Sequence, residues 1–421
     1  MGVCTKLTNE KDFPVARIAV MTSPAKGHLY PVVDTLLELQ SRGHEIFLRT
    51  IPNEVERMNA LGFHASPHED RSDNKELHDW DAPSGFAALQ LVFDQLAERI
   101  PYDCDEFELF IAETKPDFLL CDVTVFGAQL AAETSGLPWA VWSPTFLPYP
   151  SNVAPPYGVG MGIPRTRAEK AKAAVLRRAI PLLWDTQLKK RVNAVREEHG
   201  VDPLEHVLDI LDIPPLIISY TAEPFEYSHP DWPNHIVEVG PGLWSPEPGE
   251  GIVDPTEGIT DPIVLVTLST EFQNDTALAQ SALDALDGTG MHVVVTTGAI
   301  EPKLLRPNSN CTIVRLGDHA KILDHAALLI GHGGMGVTQK ALMRSVPMVI
   351  VPFGRDQHEV AQRVLASGAG QAIPGRDVTP EKLYEKIVAA LTVSHGLDAI
   401  LEGCEAAGGA PRAATLIEER F

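Results

Sequence analysis

The sequence predicts an α/β protein of two parallel-sheet domains facing each other across a cleft, and three observations predict it. Short β-branched runs alternate with stretches of helical periodicity along the chain, the pattern of strand–helix–strand units. The alternation starts twice, at Arg17 and again at Val264, each time on an apolar run. Between the two series, residues 241–261 (PGLWSPEPGEGIVDPTEGITD) are dense in Pro, Gly and acid, as an interdomain linker is. A chain of 421 residues is long enough for two such domains.

Taken in order, Arg17–Thr22 reads as the first strand. A Pro/Gly loop then leads to a helix whose start is placed at Pro31, with Val32, Val33, Leu36, Leu37 and Leu39 at helical spacing and Gly43 at its close. Strands follow at Glu45–Leu48, Phe118–Cys121, Trp139–Trp142 and Leu216–Ser219, and residues 166–200 are charged and helical, with Pro181 the one turn-forming residue before Gly200. The second series has strands at Val264–Val266, His292–Val295, Thr312–Val314, Leu328–Ile330 and Met348–Val351. Both halves are Rossmann-like on this reading: a domain over 1–240, the linker 241–261 and a domain over 262–409. Ligands of such sheets bind at the carboxyl ends of the strands.

Composition narrows the function. With 34 Lys+Arg against 57 Asp+Glu the formal net charge is −23, which disfavours a nucleic-acid partner and an anionic lipid surface. Hydrophobic content of 44% and charged content of 22% exclude a disordered or fibrous chain. No apolar run approaches the ~18 residues of a membrane span, and residues 1–16 lack the apolar core of a secretory signal. Five scattered cysteines without a C-x-x-C read as incidental thiols of a reducing compartment, so the expectation is a cytoplasmic protein.

The most specific stretch is Gly331-His332-Gly333-Gly334-Met335-Gly336-Val337-Thr338, set between a buried strand and a helix. Its glycines let backbone approach a ligand, and the helix start offers unpaired N–H groups to an anion such as a diphosphate. His332 adds a donor at that entrance, and after the next strand Asp356 and Gln357 can hold sugar hydroxyls. A dinucleotide fingerprint is the rival reading, because Asp356 falls 25 residues beyond Gly331. Against it, the motif follows the fourth strand of the second half and not the first, and the fingerprint leaves the histidine unexplained.

Residues 327–373, with GHGGMGVT followed by PFGRDQ, resemble the donor-binding signature of the family-one glycosyltransferases of GT-B fold, and most the bacterial macrolide and natural-product type. Val264–Gln273 and Asp318–Leu323 extend the resemblance. It implies that His332 and the N–H groups of the turn Gly333, Gly334, Gly336 and Val337 hold the donor diphosphate. Thr338 and Thr270 would assist, and Asp356 and Gln357 would contact the transferred sugar. In the first half, Gly27-His28-Leu29-Tyr30-Pro31 resembles the same family's G-H-x-x-P segment. The resemblance makes His28 the general base toward an acceptor hydroxyl and Asp122 the carboxylate that orients it. An imidazole suits that task because it titrates near working pH.

Two positions depart from the family: Lys340 stands where a ribose-binding Glu is common, and Leu316 where an aromatic lies on the base. A lysine accepts no hydrogen bond, so a dTDP-sugar competes with UDP-glucose, which Asp356 and Gln357 favour. For the acceptor, the Pro/Gly-rich residues 144–164 offer Phe146, Tyr149 and Tyr157, and another loop offers Trp80 and Phe86. Asp79-Trp80-Asp81 and Asp103-Cys104-Asp105 spell the D-x-D of metal-dependent enzymes, but neither follows a convincing strand in this acidic chain.

The resulting expectation is inverting transfer of a hexose from a nucleotide sugar to a small hydrophobic natural product, with no cofactor and no metal. A last helix within 410–421 is expected to return to the first domain, as the family suggests. An NAD(P)-dependent oxidoreductase, a sugar-nucleotide epimerase and a non-catalytic sugar-nucleotide-binding protein are the alternatives.

Overall fold

The computed structural model describes residues 14–69, 85–247, 254–269, 275–392 and 395–421. The first half carries strands β1 (Arg17–Met21), β2 (Glu45–Thr50), β3 (His64–Pro67), β4 (Phe118–Asp122), β5 (Trp139–Ser143), β6 (Ile217–Ser219) and β7 (Ile236–Glu238). Its helices are α1 (Lys26–Ser41), α2 (Val55–Ala60), α3 (Gly85–Thr114), α4 (Phe126–Ser135), α5 (Arg167–Trp184) and α6 (Lys190–Glu198). The second half carries β8 (Ile263–Thr267), β9 (His292–Thr296), β10 (Cys311–Val314), β11 (Ala326–Gly331), β12 (Met348–Ile350) and β13 (Gly370–Ala372). With them come α7 (Thr276–Leu286), α8 (His319–Leu323), α9 (Met335–Leu342), α10 (Gln357–Ser367), α11 (Pro380–Thr392), α12 (Leu397–Ala406) and α13 (Gly409–Glu418).

The strands pair in parallel as β3-β2-β1-β4-β5-β6-β7 and β10-β9-β8-β11-β12-β13. Both orders reverse direction once, between β1 and β4 and between β8 and β11, and a doubly wound sheet opens its ligand crevice at that reversal. The central strands are buried on both faces, as parallel sheets require. Alternate residues therefore feed two cores: Ala19, Met21, Leu119 and Cys121 pack toward α3 and α4, and Ile18, Val20, Phe118 and Leu120 toward α1.

The first helix starts at Lys26, five residues before the expected Pro31. His28 and Leu29 N–H groups already bond the Ala25 carbonyl, so helix begins there. Pro31 is tolerated inside because the partner it denies is the Gly27 carbonyl of the exposed first turn. His28 consequently sits in the first turn of α1, directly after β1.

The last helix packs with the first half of the chain. Ala413, Ala414 and Ile417 of α13 join the core beneath α1, and Glu418 accepts from Arg42 at 2.6 Å and pairs with His44 at 3.1 Å. Across the halves, Gln339 Nε2 of α9 donates to the Tyr220 carbonyl. The chain after β7 is fixed to α1 by Asp34, whose Oδ2 accepts from the Leu243 and Trp244 N–H groups at 3.0 and 2.9 Å. Among the described residues no single helix is long and apolar enough to cross a membrane.

Candidate active site

His28 and Asp122 meet because β1 and β4 are neighbours at the reversal of the first sheet. His28 Nδ1 lies 2.9 Å from Asp122 Oδ2 and 3.1 Å from Oδ1. Asp122 is fully buried, and its Oδ1 also accepts from Thr124 N at 2.8 Å and Thr124 Oγ1 at 2.7 Å. A carboxylate held this way fixes the proton of a neutral imidazole on Nδ1 and leaves Nε2 as the lone pair. The His28 side chain keeps 25% of its surface exposed, so that nitrogen is reachable.

Burial by itself depresses the His28 pKa, but the Asp122 charge and hydrogen bond outweigh it and leave the imidazole above its ordinary value. Asp356 of the second half adds to the rise and Arg99 opposes it. Burial likewise pushes Asp122 up, and His28 and the Thr124 donors overcome it, holding the carboxyl below its usual range.

The glycine motif occupies the corresponding place in the second sheet, after β11 and beside β8, where Gly331 pairs with Thr267. Gly333 has φ +95°, and a Cβ there would lie 2.9 Å from Ile350 Cγ2, so the turn requires glycine. Gly334 caps α9 without any side-chain bond, leaving the N–H groups of Met335, Gly336 and Val337 without intrahelical partners. His332 is half-buried; burial first, and then the Arg355 charge, bring its pKa down to about 4, so it is a neutral ring at physiological pH. Its Nδ1 has no hydrogen-bond partner among the described residues.

Several expected contacts are placed differently. Thr338 is fully buried, and its hydroxyl donates to the Gly334 carbonyl at 2.9 Å, bracing the turn instead of facing the cleft. Gln357 is also buried; its Oε1 accepts from Phe353 N at 2.8 Å and Gly354 N at 3.2 Å, so its carbonyl shapes the loop before α10. Asp356 does face the other half, its Oδ2 accepting from Thr145 Oγ1 at 2.9 Å. Arg355 between Gly354 and Asp356 adopts φ +53°, a strained conformation for a non-glycine residue.

Phe146 is 1% exposed, packed on Phe225 and capped by the Arg363 guanidinium 3.7 Å from its ring centroid. It is a core ring between the halves, and a ligand-facing role does not fit it, because a large apolar ring in this loop gains more by burial. The Tyr149 hydroxyl donates to Asp212 at 2.7 Å and its ring meets Trp232 edge-on. Tyr157 is half-buried beside Asp356 and Glu359, and burial together with their charges raises its phenol pKa. Trp80, Thr270 and the Asp79–Asp81 pair lie outside the described residues, and Phe86 belongs to α3 with its side chain outside them. Asp103 is buried on α3 and paired with Arg99 at 3.1 Å, a structural ion pair. Leu316 is 58% exposed, and Lys340, on α9, is charge-coupled to Asp318 and Asp34.

One face of α10 clamps the loop that carries Tyr157, an arrangement with no clear mark in the sequence. Glu359 Oε1 accepts from Gly158 N at 2.9 Å and Gly160 N at 2.8 Å. Arg363 binds Glu359 Oε2 at 3.0 Å and the buried Glu226 at 2.7 Å. The i, i+4 spacing of Glu359 and Arg363 was the available signal. Thr145 carried none.

Residues 280–398 match the family model of the erythromycin biosynthesis protein CIII-like C-terminal domain. The chain is 28% identical over 393 residues to 4'-demethylrebeccamycin synthase of Lentzea aerocolonigenes, covering 89% of this chain and 92% of that one. It is 25% identical to demethyllactenocin mycarosyltransferase of Streptomyces fradiae, over 99% and 89% of the two chains. The solved structure of the glycotransferase of kitacinnamycin superposes with TM-score 0.77 at 21% identity, over 97% of this chain and 100% of that one.

Proposed function

We propose that the chain is a natural-product glycosyltransferase of family-one GT-B type, and that it transfers a hexose from a nucleoside-diphosphate sugar to a hydroxyl of a small hydrophobic acceptor with inversion. The observation that carries this reading is the His28–Asp122 pair at one sheet reversal, with Asp356 charge-coupled to it from the other half. His28 Nε2 takes the acceptor proton as the oxygen forms its bond to the anomeric carbon, and the bond from that carbon to the diphosphate oxygen breaks. Asp122 holds the imidazolium that results. The charge developing on the departing diphosphate is met by the N–H groups of Met335, Gly336 and Val337 and by neutral His332, so no metal is assigned to this step. A single in-line displacement inverts the anomeric centre.

UDP-glucose is the donor that Asp356 favours, although the inward-turned Gln357 oxygen removes its share of that argument. A dTDP-sugar is the second reading, favoured by Lys340, which offers no acceptor to a ribose hydroxyl. Mass-spectrometric screening of UDP- and dTDP-sugars against phenolic and macrolide acceptors tests the activity. His28→Ala should abolish O-transfer while nucleotide affinity, measured by calorimetry, stays within about twofold. Retained transfer refutes the base assignment, and dTDP binding about tenfold tighter than UDP overturns the preference for UDP.

A further inference from the structure

Outside the cleft, three ligand-type atoms converge where α3 meets the end of α6. Cys104 Sγ lies 3.4 Å from His199 Nε2 and 3.9 Å from Glu108 Oε1, and those last two atoms are 3.7 Å apart. In a tetrahedral zinc site with metal–ligand lengths of about 2.3 Å to sulfur and about 2.0–2.1 Å to nitrogen and oxygen, the ligand–ligand edges are about 3.3–3.5 Å. The Cys104–His199 edge falls within that range and the other two exceed it by a few tenths of an ångström, so a cation fits between the three atoms with slight contraction of the side chains.

We propose that Cys104, Glu108 and His199 form a binding site for a zinc-class divalent cation that ties α3 to α6. Cys104 and Glu108, four residues apart, project from one face of α3. His199 caps α6, and its Nδ1 donates to the Val195 carbonyl at 2.8 Å, outside the triad. That bond fixes the tautomer and leaves the Nε2 lone pair aimed at the sulfur, the second-sphere arrangement of metal-bound imidazoles. The thiol is buried, but the Glu108 side chain is 46% exposed and that of His199 20%, so a cation can enter from solvent and keep a water as fourth ligand.

The charge environment agrees. Burial and the negative charges of Glu108, Asp105 and Asp103 hold the Cys104 thiol in its S–H form, a cost to metal binding that the same negative charges offset by attracting a cation. Binding M²⁺ expels that one proton, and thiolate plus carboxylate neutralise the ion. A soft thiolate beside an imidazole selects zinc or cobalt over magnesium or calcium. Nothing in the spacing disclosed this, because Cys104 and His199 are 95 residues apart.

The test is Co²⁺ titration of the full chain after treatment with chelator. A thiolate-to-cobalt charge-transfer band should saturate at one equivalent, disappear when Zn²⁺ is added, and tighten about tenfold per pH unit as one proton is released. Cys104→Ser should lack the band. Glu108→Gln, at an exposed position that leaves the core intact, should bind at least about tenfold more weakly. Cys311→Ser should behave as the unaltered chain. Absence of the band in the unaltered chain, its survival in Cys104→Ser or its loss in Cys311→Ser overturns the site and leaves a thiol–imidazole hydrogen bond in its place.

Discussion

Replacing Asp122 by asparagine isolates the part of the mechanism that rests on one hydrogen bond. Thr124 presents two donors to Asp122 Oδ1, at 2.8 and 2.7 Å, so the amide oxygen of the introduced side chain would occupy that position and its NH2 would replace Oδ2. That NH2 would then face His28 Nδ1 at about the present 2.9 Å. Two N–H groups cannot face each other, so the ring must carry its proton on Nε2, and the lone pair that takes the acceptor proton is gone. A wrongly held tautomer of this kind costs about 10³–10⁴ in turnover where a carboxylate orients a catalytic histidine. The same substitution removes the charge that overrides burial, so the His28 pKa must fall.

Two readouts follow. As the proposed base, His28 must lose a proton before it can accept one, so the ascending limb of the pH–rate profile should lie above the ordinary imidazole value of 6.5. In Asp122→Asn the limb moves to lower pH and the plateau drops about a thousandfold. Nuclear magnetic resonance titration of the His28 ring reads the first effect without any substrate. The pair also contributes to stability in a defined window. The raised histidine contributes fully below 6.5 and loses its contribution as pH rises through its folded value, while the lowered aspartate contributes above 3.8 and loses its contribution as pH falls through its folded value. The stability gap between the two proteins is therefore widest between those pH values. A plateau within fivefold of the unaltered enzyme, or a ring titration that does not move, refutes the reasoning.

Arg363→Met should cost about 3–5 kcal/mol in urea unfolding, because it leaves Glu226 buried without its cation; a loss below about 1 kcal/mol contradicts that role. Gly333→Ala should lose about 1–3 kcal/mol and weaken UDP binding in calorimetry, since its φ of +95° and the Ile350 contact both exclude a side chain. Lys340→Glu supplies an acceptor beside the expected ribose and should raise the UDP-to-dTDP affinity ratio about tenfold; an unchanged ratio separates this position from nucleoside choice.

Most of the architecture was legible because it rests on continuous apolar strands: β1, β4, β8, β9 and β11 are buried along most or all of their length and announce themselves as short apolar runs. Strands β3, β7 and β13 escaped the sequence because they are short and lie at sheet edges, where partial exposure erases the pattern. The local motif led to His332, and the family resemblance to His28 and Asp122. What they did not convey was direction: Thr338, Gln357 and Phe146 have suitable chemistry, yet the turn, the loop and the core turn each of them inward. The clamp from α10 to Gly158 and Gly160 joins positions some 200 residues apart, beyond the reach of any local pattern.

The two histidines of the candidate site lie at equivalent points of two similar sheets and are driven in opposite directions. At β1 the neighbouring strand ends in a buried carboxylate, which makes His28 more basic than a free imidazole. At β11 burial and the Arg355 cation press His332 to about 4. A proton acceptor needs the first environment. A phosphate donor is served by the second, because a ring that stays neutral across physiological pH donates a hydrogen bond without carrying a charge that must be desolvated. In a molecule of net charge −23 the distinction has weight: the overall field would repel the anionic donor proposed above, so its capture would depend on directional N–H groups at short range. The α9 terminus and His332 supply such groups, and screening over about 8 Å at physiological salt keeps the remote carboxylates from cancelling them.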